Sequence, residues 1–388
     1  MINLEVPERG GIMDFQHYFK ARRGEMIQLL KKLVDLESPS NDKKAVDACT
    51  AFAAKGFRNV GAKVTRFPQQ EIGDLYLAEY PAKPLKAHQE QILLLTHLDT
   101  VWAVGKIKTM PFYVSGDKVF GPGVLDMKGG AVMAISALKA LNELNIKTNH
   151  RIAIFMNSAE EIQSEASVKL IKKFARKSNH VLCLEPALPG GALKVQRKGR
   201  LVVRLECRGK AAHAGNPEKG INAIDELITH LQRLKKLTTR QITMNIGLIG
   251  GGEKANIVAD QAWAVLDFRF WKGSEKEYII ETLKRLKPKK SGARLRYVIE
   301  SLTPPMERTE ASSALLAKAR IIAASLKMDL KAGKTGGGSD ASIASSIGTG
   351  TLDGLGPEGE GIHAENEHLL LSSLVKRTAL LTELLRQL

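Results

Sequence analysis

Short unbroken apolar runs alternate with helical spacings through the first half of the chain. Leu93-Leu94-Leu95, residues 152–156 and residues 181–184 are runs of this kind. Such runs suit short strands covered on both faces. Each predicted strand stops at a polar group able to do chemistry. The first ends in His97-Leu98-Asp99, the second in Asn157-Ser158-Ala159-Glu160-Glu161 and the third in Glu185-Pro186. Residues 15–36 carry Met26, Ile27, Leu29, Leu30, Leu33 and Val34 at helical spacing. Ser38-Pro39-Ser40-Asn41 breaks that helix and offers a cap for the next, which runs to about residue 57. Strands are expected at 63–67 and 75–80, with a polar turn at 83–89. Beyond a loop with Trp102, Gly105 and Pro111, Gly121-Pro122-Gly123 leads through Asp126, which opens an amphipathic helix reaching Leu144. A further helix covers 164–177.

The pattern changes at residue 193. Val202 to Cys207 and Ala264 to Arg269 alternate apolar and polar side chains, as strands with one wet face do. A helix at 221–237 falls between them, and a second at 274–286 follows. This reads as an inserted α+β module with an antiparallel sheet, left at Pro304-Pro305. The expected fold is α/β: a mostly parallel central sheet flanked by helices, built from residues 1–192 and 305–388, with the insert at 193–304.

At 388 residues, two domains are the default. A hydrophobic content of 44% with 26% charged residues describes a soluble globular chain, and no apolar run is long enough to span a bilayer. The N-terminal stretch has no basic-then-apolar signal pattern. Cys49, Cys183 and Cys207 are scattered and odd in number, which argues for a reducing cytoplasm over a disulfide framework. The net charge of +17 raises nucleic acid as a partner. However, the basic residues are dispersed, and no stacking aromatics interleave with them. No nucleic acid and no membrane are expected; a field drawing in acidic substrates fits better.

In open α/β sheets, ligands gather at the carboxyl ends of strands. His97, Glu161 and Glu185 fall there, Asp126 follows the Gly-Pro-Gly turn, and His363 follows a Gly-rich loop. Singly, each has an ordinary explanation: a helix-terminal acid, a solvated pair, a loop histidine. Together, two imidazoles and three carboxylates without a thiolate suit zinc, with cobalt or manganese as alternatives. Five such groups hold two metals if one carboxylate bridges. Glu160 would then stay unligated, as a base for water activated by the metals.

These motifs resemble the di-zinc metallopeptidase family of aminoacylases, acetylornithine deacetylase, succinyl-diaminopimelate desuccinylase and glutamate carboxypeptidase. His97-Leu98-Asp99, the stretch from Gly121 through Asp126-Met127-Lys128-Gly129-Gly130, and Glu160-Glu161 carry the resemblance. Glu185-Pro186, the Gly209-to-Gly215 stretch around His213, and Thr335-Gly336-Gly337-Gly338-Ser339-Asp340 match the glutamate carboxypeptidase branch best. The resemblance implies a zinc exopeptidase-like fold whose insert is a lid and dimerisation domain. It implies that His97, Asp126 and Glu185 hold one metal, that Asp126, Glu161 and His363 hold the other, and that Asp99 orients His97. A cis peptide after the bridging acid, here Asp126–Met127, is also implied. Glu160 would be the general base. His213 would stabilise the oxyanion in the other subunit's site. Asn256, Arg269 and the Gly336, Gly337, Gly338 loop would contact the substrate. Leu302 to Met306 lacks an arginine expected of folate-cleaving members. The Gln196-to-Arg200 basic run is either an extra anion contact or a solvated stretch.

The expected activity is release of a C-terminal amino acid, glutamate first, from a small acidic peptide by a cytoplasmic homodimer. Deacylation of N-acyl amino acids on the same machinery is the alternative. A catalytically dead metal- or nucleic-acid-binding protein is a third reading, against which Glu160 speaks.

Overall fold

The computed structural model describes residues 8–9, 12–81 and 90–388. The turn expected at 83–89 lies outside the described residues, as does most of the N-terminal stretch read for a signal pattern. Two compact units divide the chain: Met1–Val195 with Arg308–Lys334 and Ser339–Leu388, and Gln196–Glu307 with Thr335–Gly338. The cuts fall a few residues beyond those expected at 192 and 304. The glycine loop groups with the inserted unit, not with the C-terminal segment where the sequence reading put it.

The first unit is built on a six-stranded sheet. Its order is Gly350–Leu352, His180–Cys183, Gln91–His97, Arg151–Asn157, Leu75–Tyr80 and Lys63–Phe67. The first four run parallel, Leu75–Tyr80 runs against them, and Lys63–Phe67 pairs antiparallel with Leu75–Tyr80, so the sheet is mixed. Leu93, Leu94 and Leu95 are fully buried, as strands covered on both faces require. Register sets the chemistry: His97 lies level with Asn157, and Leu95 level with Cys183. The loops carrying Asp99, Glu160 and Glu185 therefore leave the same end of the sheet.

Four local expectations need correction. The helix read at 15–36 is two, Phe15–Ala21 and Arg23–Asp35, parted at Arg22. The Lys43–Asn59 helix is capped by Asp42, whose side chain accepts the Ala45 N–H. Ser38 and Ser40 instead brace the leucine strand's exit. Ser38 Oγ donates to the Leu98 carbonyl at 2.6 Å, and the Ser38 carbonyl accepts the Thr100 N–H at 2.8 Å. Asp126 does not open a helix: its backbone is non-helical (φ −114°, ψ 96°), the Asp126–Met127 peptide is cis, and the regular helix is Gly129–Glu143. That helix is not amphipathic. From Gly129 to Leu141 it is buried on nearly every side, with helix Leu371–Gln387 against it. An all-round apolar surface is what an interior helix carries. Gly130 lets the helix start approach Leu184 closely, because a Cβ there would lie 2.4 Å from the Leu184 carbonyl oxygen.

The second unit is a four-stranded antiparallel sheet in the order Thr243–Gly251, Gln261–Phe270, Gly199–Arg208, Arg294–Thr303. Ala262, Ala264, Leu266, Phe268 and Phe270 point to one face of the central strand and are buried there. Helices Ala223–Lys235 and Gly273–Lys284 pack on that face through Leu227, Leu231, Leu234, Ile279 and Leu283. Among the described residues, no helix is long and apolar enough to cross a membrane. The three cysteines are buried.

Candidate metal centre

His97 is the last residue of its strand and is 1% exposed. Its Nδ1 lies 3.0 Å from the main-chain oxygen of Asp99. A carbonyl only accepts, so Nδ1 carries the proton and Nε2 is directed to the acids. Nε2 lies 3.1 Å from Asp126 Oδ1 and 3.6 Å from Glu185 Oε1. The second imidazole comes from the far end of the chain. His363 holds a left-handed backbone (φ 60°), and its Nε2 is 3.3 Å from both Asp126 Oδ2 and Glu161 Oε1. Asp126 thus stands between two imidazoles with one oxygen towards each, as a bridging carboxylate would. Ligand atoms of His97, Asp126 and Glu161 lie within 4.8 Å of one another.

Asp99 does more than the resemblance implied. Its carboxylate is 3.5 Å from His97 Nδ1, longer than a hydrogen bond of ordinary strength. The same carboxylate accepts the N–H groups of Glu160 and Glu161, each at 3.1 Å, and the Ser40 hydroxyl at 2.7 Å. It therefore fastens the turn that bears both glutamates to the end of the His97 strand. Among the described residues, the Glu160 side chain makes no hydrogen bond or ion pair, which leaves its carboxylate available for proton transfer.

The electrostatics are those of a crowded acidic site. Burial, with the negative charges of Asp340, Glu185 and Glu161, pushes the Glu160 carboxyl well above its ordinary range despite His97. Burial also raises Glu161, opposed by the hydrogen bond from His363. Burial works against ionised Asp126, but its hydrogen bonds with His363 and His97 hold it well below the usual carboxylate range. Hydrogen bonds to Asp126 and Glu161 push His363 up to about 10. Burial opposes a charged His97, yet its partners Asp126, Asp99 and Glu185 carry it well above the ordinary value. Asp126 and Glu161 form ion pairs with imidazoles and, among the described residues, with no lysine or arginine. A site that draws protons onto both histidines has the donor set and charge deficit that divalent cations satisfy.

The remaining candidates belong to the second unit. His213 is exposed, and its Nδ1 accepts the Gly215 N–H at 3.0 Å, so a neutral ring carries its proton on Nε2. Asn256 is its neighbour, its carbonyl accepting the Ala214 N–H at 3.0 Å. Arg269 is engaged with Asp267, at 2.7 Å from Nε and 3.3 Å from Nη2, and Arg200 shares that acid. Gly336, Gly337 and Gly338 form a loop whose carbonyls are in use. Buried Arg197 donates Nη1 to the oxygens of Gly337 and Gly338 at 3.0 and 2.8 Å. The basic run at 196–200 is therefore not simply solvated. At Gly336 a Cβ would meet nothing within 4 Å, so crowding does not demand glycine there.

Sequence reasoning left three buried polar residues without a role. Asp340, raised to about 7 chiefly by burial, accepts Asn157 Nδ2 at 2.7 Å. Asn157 Oδ1 in turn accepts the Ala159 N–H at 3.0 Å, just ahead of Glu160. Glu367 accepts hydrogen bonds from the Asp126 turn. Asp340 and Glu367 stood inside motifs already singled out, but their spacing alone marked neither as part of this centre.

Comparison with known proteins shows the family. Residues 93–387 match the model of peptidase family M20/M25/M40. Carboxypeptidase G2 of Pseudomonas sp. (strain RS-16) is 28% identical over 376 residues, spanning 94% of this chain and 89% of that protein. Among solved structures, aminopeptidase PepT from Bacillus cereus superposes with a TM-score of 0.77 at 21% identity, covering 94% of this chain and 98% of that one. The Bacillus subtilis YXEP protein, described as a dinuclear metal binding peptidase, superposes with a TM-score of 0.73 at 17% identity, covering 94% and 98%.

Proposed function

From the premise that this chain belongs to peptidase family M20/M25/M40 and is an enzyme of the metallopeptidase type, we propose that it is a carboxypeptidase releasing a C-terminal amino acid, glutamate first, from a small acidic peptide. In this reading His97, Asp126 and Glu185 hold one metal ion, and Asp126, Glu161 and His363 hold a second. Zinc is the expected metal, with cobalt or manganese as substitutes. When bound, the ions supply Lewis acidity that polarises the scissile carbonyl and eases deprotonation of water. Glu160 takes that proton on its carboxylate and returns it to the leaving amine nitrogen. Asp99 keeps Glu160 and Glu161 in place through their N–H groups. His213, its proton on Nε2, donates to the developing oxyanion from a second copy of the chain. Arg269, Asn256 and the Gly336, Gly337, Gly338 loop hold the substrate's carboxylate end. The excess of basic residues favours anionic substrates.

One observation carries the reading: Asp126 turns one oxygen to each imidazole while the Glu160 carboxylate beside them is unengaged. The insert is proposed to serve as lid and homodimer contact. Support comes from its edge strand Thr243–Gly251, where Leu248 and Ile249 are 59% and 60% exposed. Buried, scattered cysteines suit the cytoplasm. The test is a panel of glutamyl-ended peptides and N-acyl amino acids, assayed with zinc or cobalt. Higher kcat/KM for glutamate release supports the carboxypeptidase, and faster deacylation of N-acyl amino acids replaces it with the alternative. No hydrolysis of either class overturns both.

A further inference from the structure

We propose that Glu367 is a positioning residue that sets the spacing of the two metal sites, an inference that rests on the metal-binding reading above. Glu367 is 1% exposed, and its carboxylate accepts four hydrogen bonds. Oε1 takes the N–H groups of Leu125 and Asp126 at 2.9 and 3.1 Å. Oε2 takes the Gly123 N–H and Trp102 Nε1–H, each at 3.0 Å. An ionised carboxylate has about four acceptor positions, so this one is fully used.

The four donors come from two separate chain segments, and Glu367 belongs to a third. Trp102 follows the loop from His97 and Asp99. Gly123, Leu125 and Asp126 form the turn that presents the bridging acid. Glu367 itself closes the loop begun by His363: the Ala364 N–H bonds the Gly361 carbonyl at 2.8 Å, and the Glu367 N–H bonds the Ala364 carbonyl at 2.9 Å. A ring of contacts results. It runs from His363 along four residues to Glu367, across to the Asp126 N–H, and from the Asp126 side chain back to His363 Nε2 at 3.3 Å. The ring sets where Asp126 Oδ2 meets His363, while Asp126 Oδ1 faces His97. Lys106 adds a link on the outside, pairing with Glu365 at 2.6 Å and lying 5.2 Å from the centre of the Trp102 ring. Partners that orient metal ligands in this way change metal affinity by roughly 10- to 100-fold when altered.

The substitution E367Q keeps size and shape but turns an NH2 group toward N–H donors, so at least one pair of the four bonds is lost. W102F removes a single donor and keeps an aromatic ring beneath Lys106. Chelator-stripped protein is titrated with Co2+, reading stoichiometry, dissociation constants and the visible cobalt spectrum, with circular dichroism as the check on folding. The expected result is two ions in the wild type, a 10- to 100-fold weaker constant with an altered spectrum in E367Q, and a smaller weakening in W102F. Should E367Q fail to fold, W102F decides: weaker binding supports the inference, and wild-type binding overturns it. Wild-type constants and spectrum in folded E367Q overturn the positioning role alone. Failure of the wild type to bind metal overturns the metal-binding reading and this inference together.

Discussion

Two acidic clusters in the first unit are built on opposite plans. At the start of strand Leu75–Tyr80, Asp74 is 1% exposed and fully provided for. Lys43 Nζ reaches it at 2.8 Å, Arg66 Nε at 2.5 Å and the Gln69 N–H at 2.9 Å, while Lys43 also pairs with Asp47 at 2.9 Å. Burial alone would raise the Asp74 carboxyl, but its bonds with Lys43, Gln69 and Arg66 hold it below its ordinary value. At the other cluster Asp126 and Glu161 have, among the described residues, only imidazoles for ion-pair partners, and burial drives Glu160 and Glu161 upward. The lesson is physical. Carboxylates paired with covalently attached cations are structural, whereas carboxylates crowded around imidazoles keep negative charge to spare, as the proposed metal sites require.

Chelation tests that contrast most severely. Stripping metal should abolish hydrolysis and lower the thermal midpoint, since ligand binding to the folded state stabilises it; zinc or cobalt should restore both. Activity and midpoint unchanged by an effective chelator would erase the distinction between the clusters. E160Q comes next, with kcat falling by about 10^3-fold, as loss of a general base implies, while metal stoichiometry by elemental analysis stays at the wild-type value. A normal kcat would remove Glu160 from the base role.

The smallest effect belongs to the paired cluster. D74N should cost about 2 kcal/mol at pH 7 in denaturant melts, a buried pair discounted for the exposure of Lys43 and Arg66. Activity per folded molecule should not change. The folded pKa of Asp74 is depressed, so its contribution is present above the unfolded value of about 4 and is lost as pH falls through the folded one. The gap between D74N and wild type should therefore close in acid. A gap that widened there would reverse the assignment.

What local sequence determined was the inventory and its order. Leucine runs mark buried strands because period and length are local properties, and strand ends mark where His97, Glu161 and Glu185 emerge. The alternation of residues 264–269 similarly marked an antiparallel sheet with one buried face. Tertiary structure decided which atoms meet. Glu367 and Asp126 are 241 positions apart, and no periodicity links them. The Asp99 carboxylate went to the N–H groups of Glu160 and Glu161, and the glycine loop went to Arg197 in the second unit. The Gly129–Glu143 helix was buried all round because helices close over a face that its own sequence left only weakly polar. Hydrogen bonds and burial of this kind depend on the three-dimensional closeness of remote segments, which only the packed fold supplies.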